Sequence, residues 1–116
     1  ELYALSIEEA ANNNRLTVVH FSSPEHCRSD LCQAVLDEIK ATAAIYGSRV
    51  DFIHVETRDM QNPDQLSPTA AAWGLPSEPW TFVLGTNGRV LTRAEGSLDE
   101  VELSLILDRY LAQPGT

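Results

Sequence analysis

Cys27 and Cys32 are the two cysteines of the chain, and four residues separate them. Two cysteines this close can exchange electrons as a dithiol and a disulfide, or can bind a soft metal ion. In an unbroken α-helix, residues five apart have Cα atoms roughly 8.7 Å apart, whereas a disulfide spans at most about 7 Å. A bridge therefore requires that Cys27 precede the regular helix, or that the first turn of the helix unwind on oxidation.

Cys27 is the candidate nucleophile. We expect it at the positive end of the helix that follows, where the dipole and free backbone N–H groups favour the thiolate. The neighbouring His26 and Arg28 act in the same direction, while Glu25 and Asp30 oppose them. The sequence therefore predicts a reactive thiol at position 27 but not its pKa.

Cys32, on the apolar stripe of the same helix, is the candidate resolving thiol, and its alternative is an inert core cysteine. The two cysteines together with His20, His26 and His54 also have the ligand chemistry of a Cu(I) or Zn(II) site. No spacing identifies any of these histidines as a ligand. We therefore assign no metal site and expect no cofactor.

The overall composition limits the architecture and the partners. With 116 residues, 43% of them hydrophobic, the chain is predicted to form one domain over residues 1–116. A net charge of −9 argues against nucleic acid and anionic lipid as partners. No apolar run approaches the roughly 18 residues of a membrane span.

The cellular setting is an expectation from two features. The chain begins with Glu1 and has no signal-peptide pattern, which is compatible with a targeting segment that has been removed. A short-range disulfide favours an oxidising compartment. We expect an extracytoplasmic setting, periplasmic or secreted, with the cytoplasm as the alternative.

The first half of the chain has the pattern of a βαβ unit. The β-branched apolar run Leu16–Phe21 predicts a central strand, and residues 50–56 predict a second strand. Apolar residues at helical spacing between them predict a long helix over about residues 28–46, with Gly47 as its C-terminal stop. A helix between two strands predicts that the strands are parallel.

The second half begins with a long polar loop and ends in a hairpin and a helix. A short helix is predicted at residues 69–73, and Asn87-Gly88 between two apolar runs predicts an antiparallel hairpin of residues 80–84 and 89–93. A capping box at residues 97–100 predicts the start of a final helix. Its expected apolar face consists of Leu98, Val101, Leu105, Ile106 and Tyr110. A further short helix is predicted at residues 7–11.

This order of elements, with a cysteine between the first full strand and its helix, resembles the thioredoxin superfamily. Three segments carry the resemblance. They are VHFSSPEHC at residues 19–27, LDEI at residues 36–39, and EPWTF at residues 78–82 followed by NGRV at residues 87–90. The resemblance implies an α/β, thioredoxin-like fold with a central mixed β-sheet of about four strands flanked by helices.

The resemblance also implies a docking site. It implies that the Glu78–Pro79 bond is cis, that Pro79 packs beside the cysteines, and that the adjacent backbone pairs with an extended substrate segment. Glu78 and Trp80 are then predicted substrate-binding residues beside Pro79. His20 occupies the place of a buried acid of thioredoxins, and could exchange a proton with Cys32. Its alternative is a core histidine with a satisfied hydrogen bond.

The cysteine spacing departs from the family's Cys-x-x-Cys, because four residues separate Cys27 from Cys32. One branch of the peroxiredoxins has this spacing, but their Pro-x-x-x-Thr-x-x-Cys pattern fails here, because His20 and Pro24 stand in place of its proline and threonine. We predict a thiol–disulfide oxidoreductase that acts on protein disulfides. The alternative is a non-catalytic binding domain with a structural disulfide. A peroxidase and a Cu/Zn chaperone rank below both.

Overall fold

A computed structural model describes residues 14–27, 30–75 and 77–113, so the helix predicted at residues 7–11 lies outside the described residues. The main elements in chain order are β1 (Leu16–Phe21), α1 (Leu31–Tyr46), β2 (Val50–Val55), α2 (Pro68–Trp73), β3 (Trp80–Leu84), β4 (Val90–Glu95) and α3 (Glu100–Leu111). A short 3₁₀ helix, Gly47–Arg49, follows α1. Among these described helices, none has the length and apolar character that crossing a membrane requires.

The four strands form one mixed sheet in the order β2-β1-β3-β4. Strand β1 runs parallel to β2 and antiparallel to β3, and β3 runs antiparallel to β4. All six residues of β1 are buried, as expected for a strand that has neighbours on both edges and cover on both faces. The predicted fold class, central strand, parallel pair and hairpin are confirmed.

Each face of the sheet is covered by a separate apolar cluster. On one face, Leu16 and Val18 pack against buried residues of α1 and α3. On the other face, Val19 and Phe21 pack with residues of and after α2, including Ala70 and Leu75. Because side chains alternate along a strand, His20 lies on the face covered by α1 and α3.

Helix α1 begins later than the sequence predicts. Asp30 is its N-cap residue and Leu31 its first residue, rather than a start near residue 28. The predicted stop is correct, because Gly47 adopts φ 57°, a left-handed conformation that favours glycine. Cys27 consequently precedes the regular helix instead of lying in its first turn.

The predicted capping box of α3 is wrong by two residues. Asp99 is the N-cap, and its carboxylate accepts the N–H of Glu102 while the Glu102 carboxylate accepts the N–H of Asp99. Glu38 of α1 also accepts the N–H of Glu100, at 2.8 Å. These contacts set the start of α3 at Glu100.

The buried stripe of α3 therefore differs from the predicted one. Leu103 and Leu107 are buried, and Ile106 and Tyr110 pack beside them. Val101 and Leu105, which were assigned to the apolar face, are 63% and 67% exposed. The core stripe follows the i, i+3, i+4, i+7 pattern from Leu103.

This assignment predicts opposite results for two neighbouring leucines. Leu107→Ala should lower the free energy of unfolding by about 2–5 kcal/mol, because it leaves a cavity in the core between α3 and the sheet. Leu105→Ala, the matched control, should change it by no more than about 0.5 kcal/mol. Urea unfolding followed by tryptophan fluorescence measures both. Equal losses would contradict the stripe described above.

Candidate functional site

Cys27 and Cys32 form a disulfide, with their Cα atoms 6.2 Å apart. This separation is shorter than the helical value because Cys27 lies before α1, the first of the two arrangements that helix geometry permits. Cys32 is the second residue of α1 and is fully buried, whereas Cys27 is only partly buried. The two cysteines therefore differ in their exposure at the protein surface.

Ser23 holds the turn that carries Cys27. Its carbonyl accepts the N–H of His26 at 2.9 Å and the N–H of Cys27 at 2.8 Å. Ser23 is itself fully buried, two residues beyond the end of β1 at Phe21. The position of the half-buried cysteine is thus tied directly to the end of β1.

Ser23 also joins two other segments at the same end of the sheet. Its backbone N–H donates to Glu78 Oε1 at 3.0 Å, and its hydroxyl accepts the N–H of Arg58 at 2.8 Å. Arg58 Nε in turn donates to Glu78 Oε2 at 2.8 Å. These three residues form a closed network, which we call the Ser23–Arg58–Glu78 network.

The Glu78–Pro79 bond is cis, in agreement with the resemblance, and Pro79 is buried. The carbonyl of Pro79 accepts the N–H of Gly96 at 2.8 Å, which connects this loop to the end of β4. Within residues 14–27, 30–75 and 77–113, the backbone N–H and C=O of Glu78 make no hydrogen bond.

The carboxylate of Glu78 faces the disulfide. One of its oxygens and the sulfurs of Cys27 and Cys32 all lie within 4.8 Å of one another. In the reduced protein these three groups would be possible ligands of a divalent metal ion. However, the Arg58 guanidinium already binds the same carboxylate, and its positive charge opposes a second cation there.

His20 is fully buried beneath this site. Its Nδ1 shares a hydrogen bond of 3.0 Å with Thr81 Oγ1, and its Nε2 has no partner among the described residues. Burial, together with the neighbouring His54, lowers the pKa of His20 to about 3. The ring is thus neutral at physiological pH. The bond at Nδ1 fits the alternative of a core histidine with a satisfied hydrogen bond, whereas Nε2 does not.

His54 on β2 lies directly beside His20, with ring centroids 5.8 Å apart. Its Nε2 is 3.0 Å from the carbonyl of Ser22 and 3.3 Å from Glu56 Oε2. Because a carbonyl only accepts, Nε2 carries a proton. Burial lowers the pKa of His54, and the hydrogen bond to the Ser22 carbonyl partly opposes this lowering. These contacts give His54 a structural role at the end of β2.

The mouth of the site is acidic. A surface depression of about 250 Å³ beside the disulfide turn is lined by Pro24, Glu25, Gln33, His54, Glu56 and Met60. Burial raises the pKa of Glu56, and the charges of Glu25 and Glu78 raise it further. A partner bound here would meet a negative electrostatic potential.

Trp80 lies at the same end of the sheet but on the opposite face from α1. It stacks on Phe82 with ring centroids 5.8 Å apart, and its Nε1 donates to Ser77 Oγ. Trp73 packs edge-on against Phe82, at 4.8 Å between centroids. Both tryptophans contribute packing, and a role of Trp80 in substrate binding stays a prediction.

Ser23 and Arg58 were not identified from the sequence, although Cys27, Glu78 and Pro79 were. Ser23 follows β1, Arg58 follows β2 and Glu78 precedes β3. In this sheet those three chain positions meet at the same end of the strands, because the parallel strands β1 and β2 finish there and the antiparallel strand β3 begins there. The strand directions were therefore the signal that could have found them.

Solved structures of thioredoxins share this architecture. Chloroplastic thioredoxin z superposes with a TM-score of 0.72 at 16% identity, over 90% of this chain and 85% of that one. A poplar wild-type thioredoxin h gives 0.70 at 19% identity, over 92% and 86%. A thioredoxin from Nicotiana alata gives 0.69 at 23% identity, over 90% and 80%. The chain therefore has a thioredoxin-like fold.

No protein-family model and no curated protein sequence matches the chain. At identities of 16% to 23%, the structural likeness establishes the fold alone. The function must therefore be argued from this chain's own disulfide and the groups around it.

The low pKa of His20 predicts a pH dependence of stability. In the unfolded chain the pKa returns toward 6.5, so between about pH 3 and 6.5 the unfolded state binds a proton that the folded state does not. The free energy of unfolding should thus be greatest above pH 6.5 and fall as the pH is lowered. His20→Asn should reduce this slope by about 1.4 kcal/mol per pH unit at most. Urea unfolding at several pH values measures it, and parallel profiles would contradict it.

Proposed function

We propose that the protein is a thiol–disulfide oxidoreductase that acts on protein disulfides or dithiols. The observation that carries the proposal is a disulfide between one half-buried and one fully buried cysteine, placed where β1 leads into α1 of a thioredoxin-like fold. A purely structural bridge has no need of an accessible sulfur. A redox pair requires one, because the partner's sulfur has to reach it.

In the reducing direction, the Cys27 thiolate attacks a partner disulfide and forms a mixed disulfide, releasing the first partner thiolate. Cys32 then attacks Cys27 Sγ, which restores the Cys27–Cys32 bond and releases the second partner thiolate. Two electrons and two protons pass from the protein to the partner. The reverse sequence oxidises a partner dithiol.

The loop at Glu78 and Pro79 supports docking of an extended partner segment. Within the described part of the chain, the backbone of Glu78 has no hydrogen-bond partner, so it can offer one donor and one acceptor beside the disulfide, as at an open sheet edge. Trp80, which follows Pro79, would contact the same partner segment. We propose an extracytoplasmic compartment for the activity, since a short-range disulfide fits an oxidising setting.

The redox titration of the Cys27–Cys32 pair against glutathione tests this function. We expect a reversible two-electron transition between about −120 and −270 mV, the range of known oxidoreductases. Mass spectrometry of alkylated samples reports the fraction oxidised. A bridge that stays oxidised below about −300 mV would instead favour the non-catalytic domain with a structural disulfide.

Trapping provides a second test. Cys32→Ser cannot resolve the mixed disulfide, so it should accumulate partner proteins linked to Cys27, visible on non-reducing gels and released by dithiothreitol. Cys27→Ser is the matched control and should trap fewer partners, because Cys32 is fully buried. Equal trapping by the two variants, or none, would contradict the assigned order of attack.

A further inference from the structure

Glu78 has an unusual environment for a carboxylate. Its side chain is only 6% exposed, although carboxylates are rarely buried without a compensating charge. The compensating charge is Arg58, whose Nε lies 2.8 Å from Glu78 Oε2. The chain therefore maintains a buried ion pair directly beside its disulfide.

The Ser23–Arg58–Glu78 network orients this carboxylate toward the sulfurs. Ser23 binds one oxygen and Arg58 the other, so rotation of the carboxylate would break at least one bond. Each oxygen accepts one of these bonds and keeps a second lone pair. With a carboxylate oxygen within 4.8 Å of the sulfurs of both Cys27 and Cys32, one free lone pair can accept a proton from a thiol directly or through one water.

His20, the group that the resemblance assigns to proton exchange, is poorly suited to it. One ring nitrogen is bonded to Thr81, and the ring lies in a buried environment that disfavours its protonated form. The Glu78 carboxylate, in contrast, lies in one group with both sulfurs, so it is better placed than His20 to take the proton of Cys32.

We propose that Glu78 is the proton acceptor and donor of the Cys27–Cys32 pair, a role that rests on the proposed function. In the mixed disulfide, the Cys32 thiol gives its proton to the Glu78 carboxylate, and the Cys32 thiolate attacks Cys27 Sγ. The bond between Cys27 and the partner breaks, and the partner sulfur leaves with the electron pair and takes the proton from Glu78. The protein dithiol loses two electrons, and the partner disulfide gains them.

A carboxylate beside a thiol could instead act only as a negative charge, which would oppose formation of the thiolate. The two roles predict opposite results when the charge is removed. Loss of a proton acceptor slows the attack of Cys32, whereas loss of a repulsive charge accelerates it. Glu78→Gln distinguishes them because glutamine can still accept the N–H of Ser23 but cannot take a proton.

The experiment is stopped-flow mixing of the reduced protein with 5,5′-dithiobis(2-nitrobenzoate) at pH 6. The first thionitrobenzoate reports the attack of Cys27, and the second, released in a first-order step, reports the attack of Cys32. We expect Glu78→Gln to slow the second step by about tenfold to a hundredfold, within reach of general-base catalysis. Asp64→Asn, which removes an exposed acid outside the group that contacts the sulfurs, should change it by less than about threefold.

A second step at the wild-type rate or faster in Glu78→Gln would overturn the proposal. If that variant does not fold, Glu78→Asp, which keeps a carboxylate, should retain the second step at a reduced rate. The wild-type protein should also release the second thionitrobenzoate more slowly in D₂O, and an unchanged or inverse isotope effect would contradict proton transfer. Absence of both release steps would refute the oxidoreductase function, whereas normal release without dependence on Glu78 refutes this inference alone.

Discussion

The bonds that Glu78 makes to Ser23 and Arg58 bring three distant segments to one point at the edge of the sheet. Ser23 belongs to the turn that presents Cys27, Arg58 to the segment after β2, and Glu78 to the loop that precedes β3. A buried carboxylate without Arg58 would be strongly unfavourable. The ion pair therefore makes it possible for the disulfide, the cis-proline loop and the strand ends to keep their relative positions.

The sheet beneath this network is polar at its functional end. His20, Thr81 and His54 lie side by side under the cover of α1, where an apolar core would be the usual arrangement. They satisfy one another only in part, because Nε2 of His20 has no partner among the described residues. Such incomplete satisfaction is costly in a core, and it occurs here directly below the candidate redox pair.

Prediction from the sequence succeeded where local patterns determine structure and failed where contacts between elements do. The span of β1 and the stop of α1 at Gly47 were correct, because β-branched runs and a C-terminal glycine act locally. The start of α3 was wrong because two capping boxes competed. Asp99 prevailed over Ser97, and Leu98 was drawn into the core instead of the helix.

At the site itself, helix geometry left two arrangements for a bridge, because residues five apart in a helix lie too far apart. Either Cys27 precedes the regular helix or the first turn unwinds, and the folded structure has the first arrangement. The elements and the cysteine pair likewise follow from local periodicity and residue type. The surroundings of the sulfurs arose only on folding. Glu78 is 55 residues from Ser23 and 20 from Arg58, so their meeting depends on strand order and direction, which no local pattern encodes.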